Sequence, residues 1–204
     1  MARRFICANL MAFCLIWTGS SLSAFAQTQD ARKDATAATK AANTKLLNEL
    51  PFSDKSDFDS ARKGLIAPLP TQMIKGQAGN LIWNPEQFKF IADGAATPDT
   101  VNPSLWRQAQ LINMSGLFQV TDGIYQVRNQ DLSNMTIIEG KQGIVVVDPL
   151  ISTETAKVAI DLYYQHRGKK PVKAVIYTHS HVDHYGGVRG VVDEADVKSG
   201  KIKI

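Results

Sequence analysis

Hydrophobic residues change their spacing along this chain near Gly116. Downstream of it, short β-branched and apolar runs alternate with turn signals. Residues 118–121 and 124–127 flank Asp122-Gly123, a dipeptide whose backbone preferences suit a tight hairpin turn. Residues 135–138 and 144–147 read as two more strands, joined across Gly140 and Gly143, and Asp148-Pro149 ends the run. The period then switches. Ala156, Ala159, Ile160 and Tyr163 give residues 153–165 one buried helical face. Residues 172–177 return to an apolar strand. The predicted order is β-β-β-β-α-β, an α/β (α+β) arrangement.

The pattern upstream is weaker. Residues 27–50 are rich in Ala, Thr, Lys and Asp and allow a helix or a mobile linker. Residues 58–64 read as a short helix closing on Gly64, and Pro68 and Pro70 mark irregular chain. Leu81-Ile-Trp83 and Phe88-Lys-Phe90 are apolar pieces that need burial. Asn102-Pro103 supplies an N-cap and a first-turn proline for a helix running to about residue 111. Trp83 and Trp106 are assigned to the core. His166, near a predicted helix end, is read as a partner of the helix dipole.

At the N-terminus, Arg3-Arg4 precedes a mostly apolar stretch, and Ala24-Phe25-Ala26 follows as a small-x-small site. This is the pattern of a secretory signal peptide, with an apolar run too short for a span of about 20 residues. The domain map is therefore 1–26 signal peptide, 27–50 linker or mobile helix, 51–115 N-terminal extension packing on the downstream domain, and 116–204 that domain. A periplasmic or secreted location follows, without stable membrane insertion after cleavage.

Cleavage changes the chemistry on offer. Cys7 and Cys14, the two cysteines of the chain, both lie in 1–26. The mature protein would have no disulfide, thiolate ligand or cysteine nucleophile. Loss of Arg3 and Arg4 halves the formal charge of +4. Basic residues form no stripe with interleaved aromatics, so nucleic-acid binding is not expected.

Three of the four histidines fall in one stretch, His179-Ser-His181-Val-Asp183-His184, directly after the last predicted strand and followed by Gly186-Gly187. Imidazole and carboxylate are the side chains that hold zinc and similar divalent ions. Alternating His179 and His181 can face one metal, and Asp183 and His184 a second. The glycines let the backbone turn sharply, with a helix expected to start near Val188. Loops at the ends of strands are where layered α/β folds place their chemistry. Asp148 ends a neighbouring strand and can either hydrogen-bond a ligating histidine or serve the turn before Pro149. Ser133 and Asn134 are assigned to holding their loop through side-chain to backbone bonds. Tyr185 is expected to pack.

The histidine run resembles the metal signature of the metallo-β-lactamase superfamily. Five segments are similar to its linear alkylsulfatase branch: residues 102–111, 116–128, 131–136, Val147-Asp-Pro-Leu150, and Tyr177-Thr-His-Ser-His-Val-Asp-His184. The likeness runs from about residue 50 to the end. The resemblance implies the first half of an αββα sandwich. It implies a secreted or periplasmic hydrolase, typically dimeric, that releases sulfate from long-chain primary alkyl sulfates such as dodecyl sulfate. Two zinc ions per complete site are implied, His179 and His181 on one, Asp183 and His184 on the other. A metal-activated water is the implied nucleophile, with C–O cleavage. Asp183, the catalytic candidate, is then a ligand first and a proton carrier only second. A rival is another hydrolase of the same fold, acting on thioesters, lactams or phosphodiesters.

The family's remaining ligands lie further downstream. After His184 this sequence has no histidine, and its acidic residues are Asp193, Glu194 and Asp196. The metallo-β-lactamase-like domain over 116–204 is therefore expected to be truncated, with unpaired sheet edges, an uncovered apolar face and no independent activity. Residues 201–204 read as a strand just beginning.

Overall fold

A computed structural model describes residues 33–204. The predicted signal peptide lies outside the described residues. In chain order, helix α1 (Ala37–Glu49) and helix α2 (Ser56–Arg62) precede three short strands, β1 (Leu65–Ala67), β2 (Ile74–Lys75) and β3 (Leu81–Trp83). Helix α3 (Pro103–Ile112) follows, then strands β4 (Gly116–Thr121), β5 (Ile124–Arg128), β6 (Met135–Gly140) and β7 (Gly143–Val147). Helix α4 (Thr153–Arg167) leads into β8 (Val172–Ile176), and two short helices close the chain, α5 (Val182–Tyr185) and α6 (Glu194–Lys198).

Strands β4 to β8 carry the predicted β-β-β-β-α-β order. The sheet runs β1-β4-β5-β6-β7-β8. Neighbours are antiparallel except β7 and β8, which are parallel and joined through α4. Asp122-Gly123 turns the first hairpin between Thr121 and Ile124, with Gly123 at φ 74°. Strand β1 was not foreseen. It comes from the extension and pairs with the start of β4. Three residues with no alternation leave almost no strand signal.

Period-two alternation sends Leu117, Tyr125, Val127, Met135, Ile137, Ile144 and Val146 to one face of the sheet, all essentially buried. Against them α4 packs Ala156, Ala159, Ile160 and Tyr163. Each large side chain buried there contributes roughly 1.5–3 kcal/mol. Ser152 and Thr155 form a capping box that starts α4, and Gly168 stops it at φ 78°. Below the helix end, Glu139 accepts from Tyr163 Oη at 2.7 Å and pairs with Lys170 Nζ at 2.7 Å and Arg167 Nε at 3.3 Å. Burial pushes the Glu139 carboxyl up, but Lys170, Tyr163 and Arg167 outweigh it and bring it down to about 2.

The opposite face is less covered. Val120, Ile138 and Ile176 project from it, 36% to 50% exposed. Lys203 begins to pair alongside β8, bridging Ala174 in parallel. In the extension, Trp106 is buried and donates Nε1–H to the Ala95 carbonyl at 3.0 Å. The apolar pieces of the extension depart from expectation. Leu81 is 57% exposed and Phe90 68%, and Trp83 is half-buried beside Phe88. The β2–β3 hairpin has only two strands, so Leu81 has no second layer to cover it.

Candidate metal centre

Strands β7 and β8 run parallel, so their C-terminal ends deliver Asp148 and the loop from Thr178 to the same edge. Asp148 sits in the left-handed region at φ 53°, a conformation that costs a non-glycine residue about 1 kcal/mol or more. What that backbone secures is the direction of its carboxylate. One oxygen accepts from the Thr178 amide at 2.8 Å. The other accepts from the Thr178 hydroxyl at 2.7 Å and meets His184 Nδ1 at 2.8 Å. Burial raises the Asp148 pKa, but the Thr178 amide, His184 and the Thr178 hydroxyl together hold it below the ordinary carboxylate range.

These bonds settle where two histidine protons sit. A carboxylate only accepts, so His184 carries its proton on Nδ1. Thr178 gives its one hydroxyl proton to Asp148, so it accepts from His179 Nδ1 at 2.9 Å. Both rings are thereby turned with Nε2 away from Asp148 and Thr178. Asp148 orients His184 directly and His179 through Thr178, the kind of support that fixes tautomer and ring angle in metal-binding histidines. Asp148 thus does more than serve the turn before Pro149.

The freed nitrogens face other donors. His179 Nε2 lies 3.1 Å from His181 Nδ1, and His184 Nε2 lies 3.3 Å from Asp183 Oδ2. Zinc–ligand bonds of about 2.0–2.1 Å at tetrahedral angles place two ligating atoms about 3.3 Å apart. Both pairs therefore have the spacing of one edge of a zinc coordination shell. The pairs are not remote from each other, since the His179 and His184 rings lie 4.0 Å apart between centroids. Among the described residues, no three His, Cys, Asp or Glu side chains gather closely enough to hold an ion by themselves. The donor set fits zinc in type and in pairwise spacing.

The motif backbone differs from expectation in one respect. The helix begins inside the motif, as α5 with His181 at its N-cap, and a single 3-10 turn over Val188–Gly190 stands where a helix was expected. Gly186 and Gly187 have ordinary negative φ values of −59° and −86°. Their role is close approach. A Cβ on Gly186 would lie 2.3 Å from the Ile151 carbonyl oxygen, and one on Gly187 2.1 Å from that of Pro149. The motif is pressed onto the β7–α4 loop, and Gly187 N–H donates to the Leu150 carbonyl at 2.9 Å.

A second clamp comes from the β5–β6 loop. Ser133 Oγ donates to the Asp183 carbonyl at 2.6 Å, and Asn134 Oδ1 accepts from the Asn129 amide at 3.2 Å. Asn134 holds its own loop as expected, whereas the Ser133 side chain reaches across to the backbone of the histidine motif. Asp131 is the hub that sequence reasoning passed over. Nearly fully buried, it accepts from the Ser133 and Ile151 amides, each at 3.1 Å, and from Thr155 Oγ1 at 2.6 Å. Burial pushes its carboxyl pKa up, partly offset by those donors. The signal was an Asx-type spacing, Asp131 two residues before Ser133. Tyr185 lies 5.9 Å from Tyr177 between ring centroids, and His166 sits exposed in the last turn of α4.

Known proteins resemble this chain in sequence and in fold. Residues 128–204 match the metallo-beta-lactamase superfamily model. A linear primary-alkylsulfatase from Pseudomonas sp is 67% identical over 98% of this chain, and an (R)-specific secondary-alkylsulfatase from Pseudomonas sp 54% identical over 84%. An alkyl/aryl-sulfatase from Saccharomyces cerevisiae is 51% identical over 86%. The solved structure of a stereoselective inverting sec-alkylsulfatase from Pseudomonas sp superposes with a TM-score of 0.77 at 53% identity, covering 84% of this chain and 27% of its own. The chain spans 29%, 26% and 27% of the length of the three sequence relatives. In sequence and in fold, the chain belongs to the metallo-β-lactamase superfamily, with the alkylsulfatases.

Proposed function

We propose that this motif is one wall of a two-zinc centre in a hydrolase that releases sulfate from long-chain primary alkyl sulfates such as dodecyl sulfate. The observation that carries the reading is the Asp148 carboxylate holding His179 and His184 with their Nε2 atoms toward His181 and Asp183. His179 and His181 would hold one zinc, and Asp183 and His184 the other. Zinc there would supply Lewis acidity and an activated water at neutral pH. The chain's own part is positional. Asp148 and Thr178 fix the imidazole tautomers, and Ser133 fixes the backbone of Asp183. A carboxylate used as a ligand is a poor free base, so Asp183 acts first by holding metal.

In the reaction, the water oxygen bonds to the ester carbon as the C–O bond breaks. Sulfate leaves with the bonding pair, and the proton lost by the water passes to solvent, which leaves an alcohol and inorganic sulfate. Attack on carbon is supported by the description of the solved relative as inverting, because inversion at a secondary carbon requires that bond to break. The 67% identity to a linear primary-alkylsulfatase supports primary esters as the substrate class. The N-terminal pattern supports export to the periplasm or beyond, and the family resemblance supports a homodimer. The test is a substrate panel on the intact protein: dodecyl sulfate, a thioester, a β-lactam and a phosphodiester. Sulfate release from dodecyl sulfate well above turnover of the others is expected. Preferential turnover of any rival would overturn the assignment.

A further inference from the structure

Helix α5 carries Asp183 and His184 on four residues, too few for a helix to stand alone. Within it the Gly186 amide donates to the Val182 carbonyl at 2.7 Å. In a continuing helix the Gly187 amide would close on the Asp183 carbonyl next. It donates instead to the Leu150 carbonyl at 2.9 Å. The Asp183 carbonyl is left over, and the Ser133 hydroxyl donates to it at 2.6 Å. On the other flank, Gly186 lies so near the Ile151 carbonyl oxygen that a Cβ would stand 2.3 Å from it. Two outside segments therefore hold α5, one at Ser133 and one at Ile151.

Both segments meet at one carboxylate. Asp131 Oδ1 accepts from the Ser133 amide and Oδ2 from the Ile151 amide, each at 3.1 Å. The first bond closes the turn that presents the Ser133 hydroxyl. The second sets the segment on which Gly186 rests. Thr155 Oγ1, at 2.6 Å, ties the same Oδ2 to the first turn of α4. Asp131 is 3% exposed, so water does not readily replace these bonds. We propose, on the two-zinc reading above, that Asp131 is a positioning residue for one half of the metal centre. Through Ser133 and Ile151 it holds Asp183 and His184 in place, and His179 and His181 do not depend on it. The asymmetry lies in the contacts. Asp148 supports His184 directly and His179 through Thr178, so it acts on both halves. The network of Asp131 reaches the motif at Asp183 and Gly186, beyond His179 and His181.

The experiment titrates zinc into the metal-free intact protein against a chromophoric chelator and resolves two dissociation constants. Asp131→Asn replaces one acceptor oxygen with a donor, Ser133→Ala removes the hydroxyl, and Ser133→Thr keeps it. Asp131→Asn and Ser133→Ala should each weaken one zinc about 10–100-fold and leave the other within about twofold. Ser133→Thr should bind both zincs as the unmodified protein does, and Asp148→Ala should weaken both. The zinc that Asp131→Asn retains should persist when Asp183→Ala is added and vanish when His181→Ala is added. Where Asp131→Asn does not fold, Ser133→Ala decides by the same criteria. A general loss of packing would instead lower both affinities together. Equal weakening of both zincs, or of neither, would overturn the positioning role and leave the two-zinc centre standing. Fewer than two zincs in the unmodified protein would overturn both.

Discussion

Asp148 is the residue on which the site turns. It tolerates a left-handed backbone and in return directs one carboxylate at His184 and, through Thr178, supports His179. Asp148→Ala should leave the sheet intact, because the removed groups lie at a strand end. Zinc affinity should fall about 10–100-fold, as for other partners behind metal-binding histidines. Competition against a chromophoric chelator measures this, and affinity equal to the unmodified protein would show that the carboxylate serves only the turn. The four motif residues were readable from spacing alone, since imidazoles and a carboxylate crowded into six positions have few other uses. Asp148 was readable only as a neighbour. Its reach through Thr178 to His179 depends on how β7 and β8 align, and nothing local in sequence encodes that register. Asp131 was missed for the same reason, as its partners Ile151 and Thr155 lie across the fold.

At the level of elements, the motif's position depends on backbone contact. Gly187→Ala would bring a methyl group to 2.1 Å from the Pro149 carbonyl and 2.6 Å from that of Ser152. Backbone on both sides cannot yield cheaply, so a loss of about 3 kcal/mol is expected in urea unfolding. An unfolding midpoint equal to that of the unmodified protein would show that the contact is not under constraint. Helix α4 is fastened to the sheet by Glu139. Its carboxyl titrates near 4.5 when unfolded and about 2 when folded, so the unfolded chain takes up the proton first as pH falls. The stabilisation is complete above about pH 5 and is lost between there and pH 2. Glu139→Gln should cost roughly 2 kcal/mol at pH 7, and the gap should close by about pH 2. A gap that stays constant with pH would place the effect in packing rather than charge.

For the molecule as a whole, legibility followed periodicity. The elements from β4 to β8 were predicted because alternation and helical spacing are strong there, and they form the face that α4 covers. The extension was read less well. Strand β1 is three residues long, and its existence is decided by pairing with β4. Leu81 and Phe90 were expected to seek burial and are exposed, whereas Trp83 and Phe88 line a cavity with Ile112 and Leu132. Metal dependence joins the residue geometry to the proposed chemistry. Zinc content by elemental analysis should be followed with sulfate release from dodecyl sulfate as chelator is titrated into the intact protein and zinc is then returned. Two zinc ions per chain are predicted, with release falling as they are removed and recovering when zinc is restored. Undiminished sulfate release from metal-free protein would contradict the two-zinc reading.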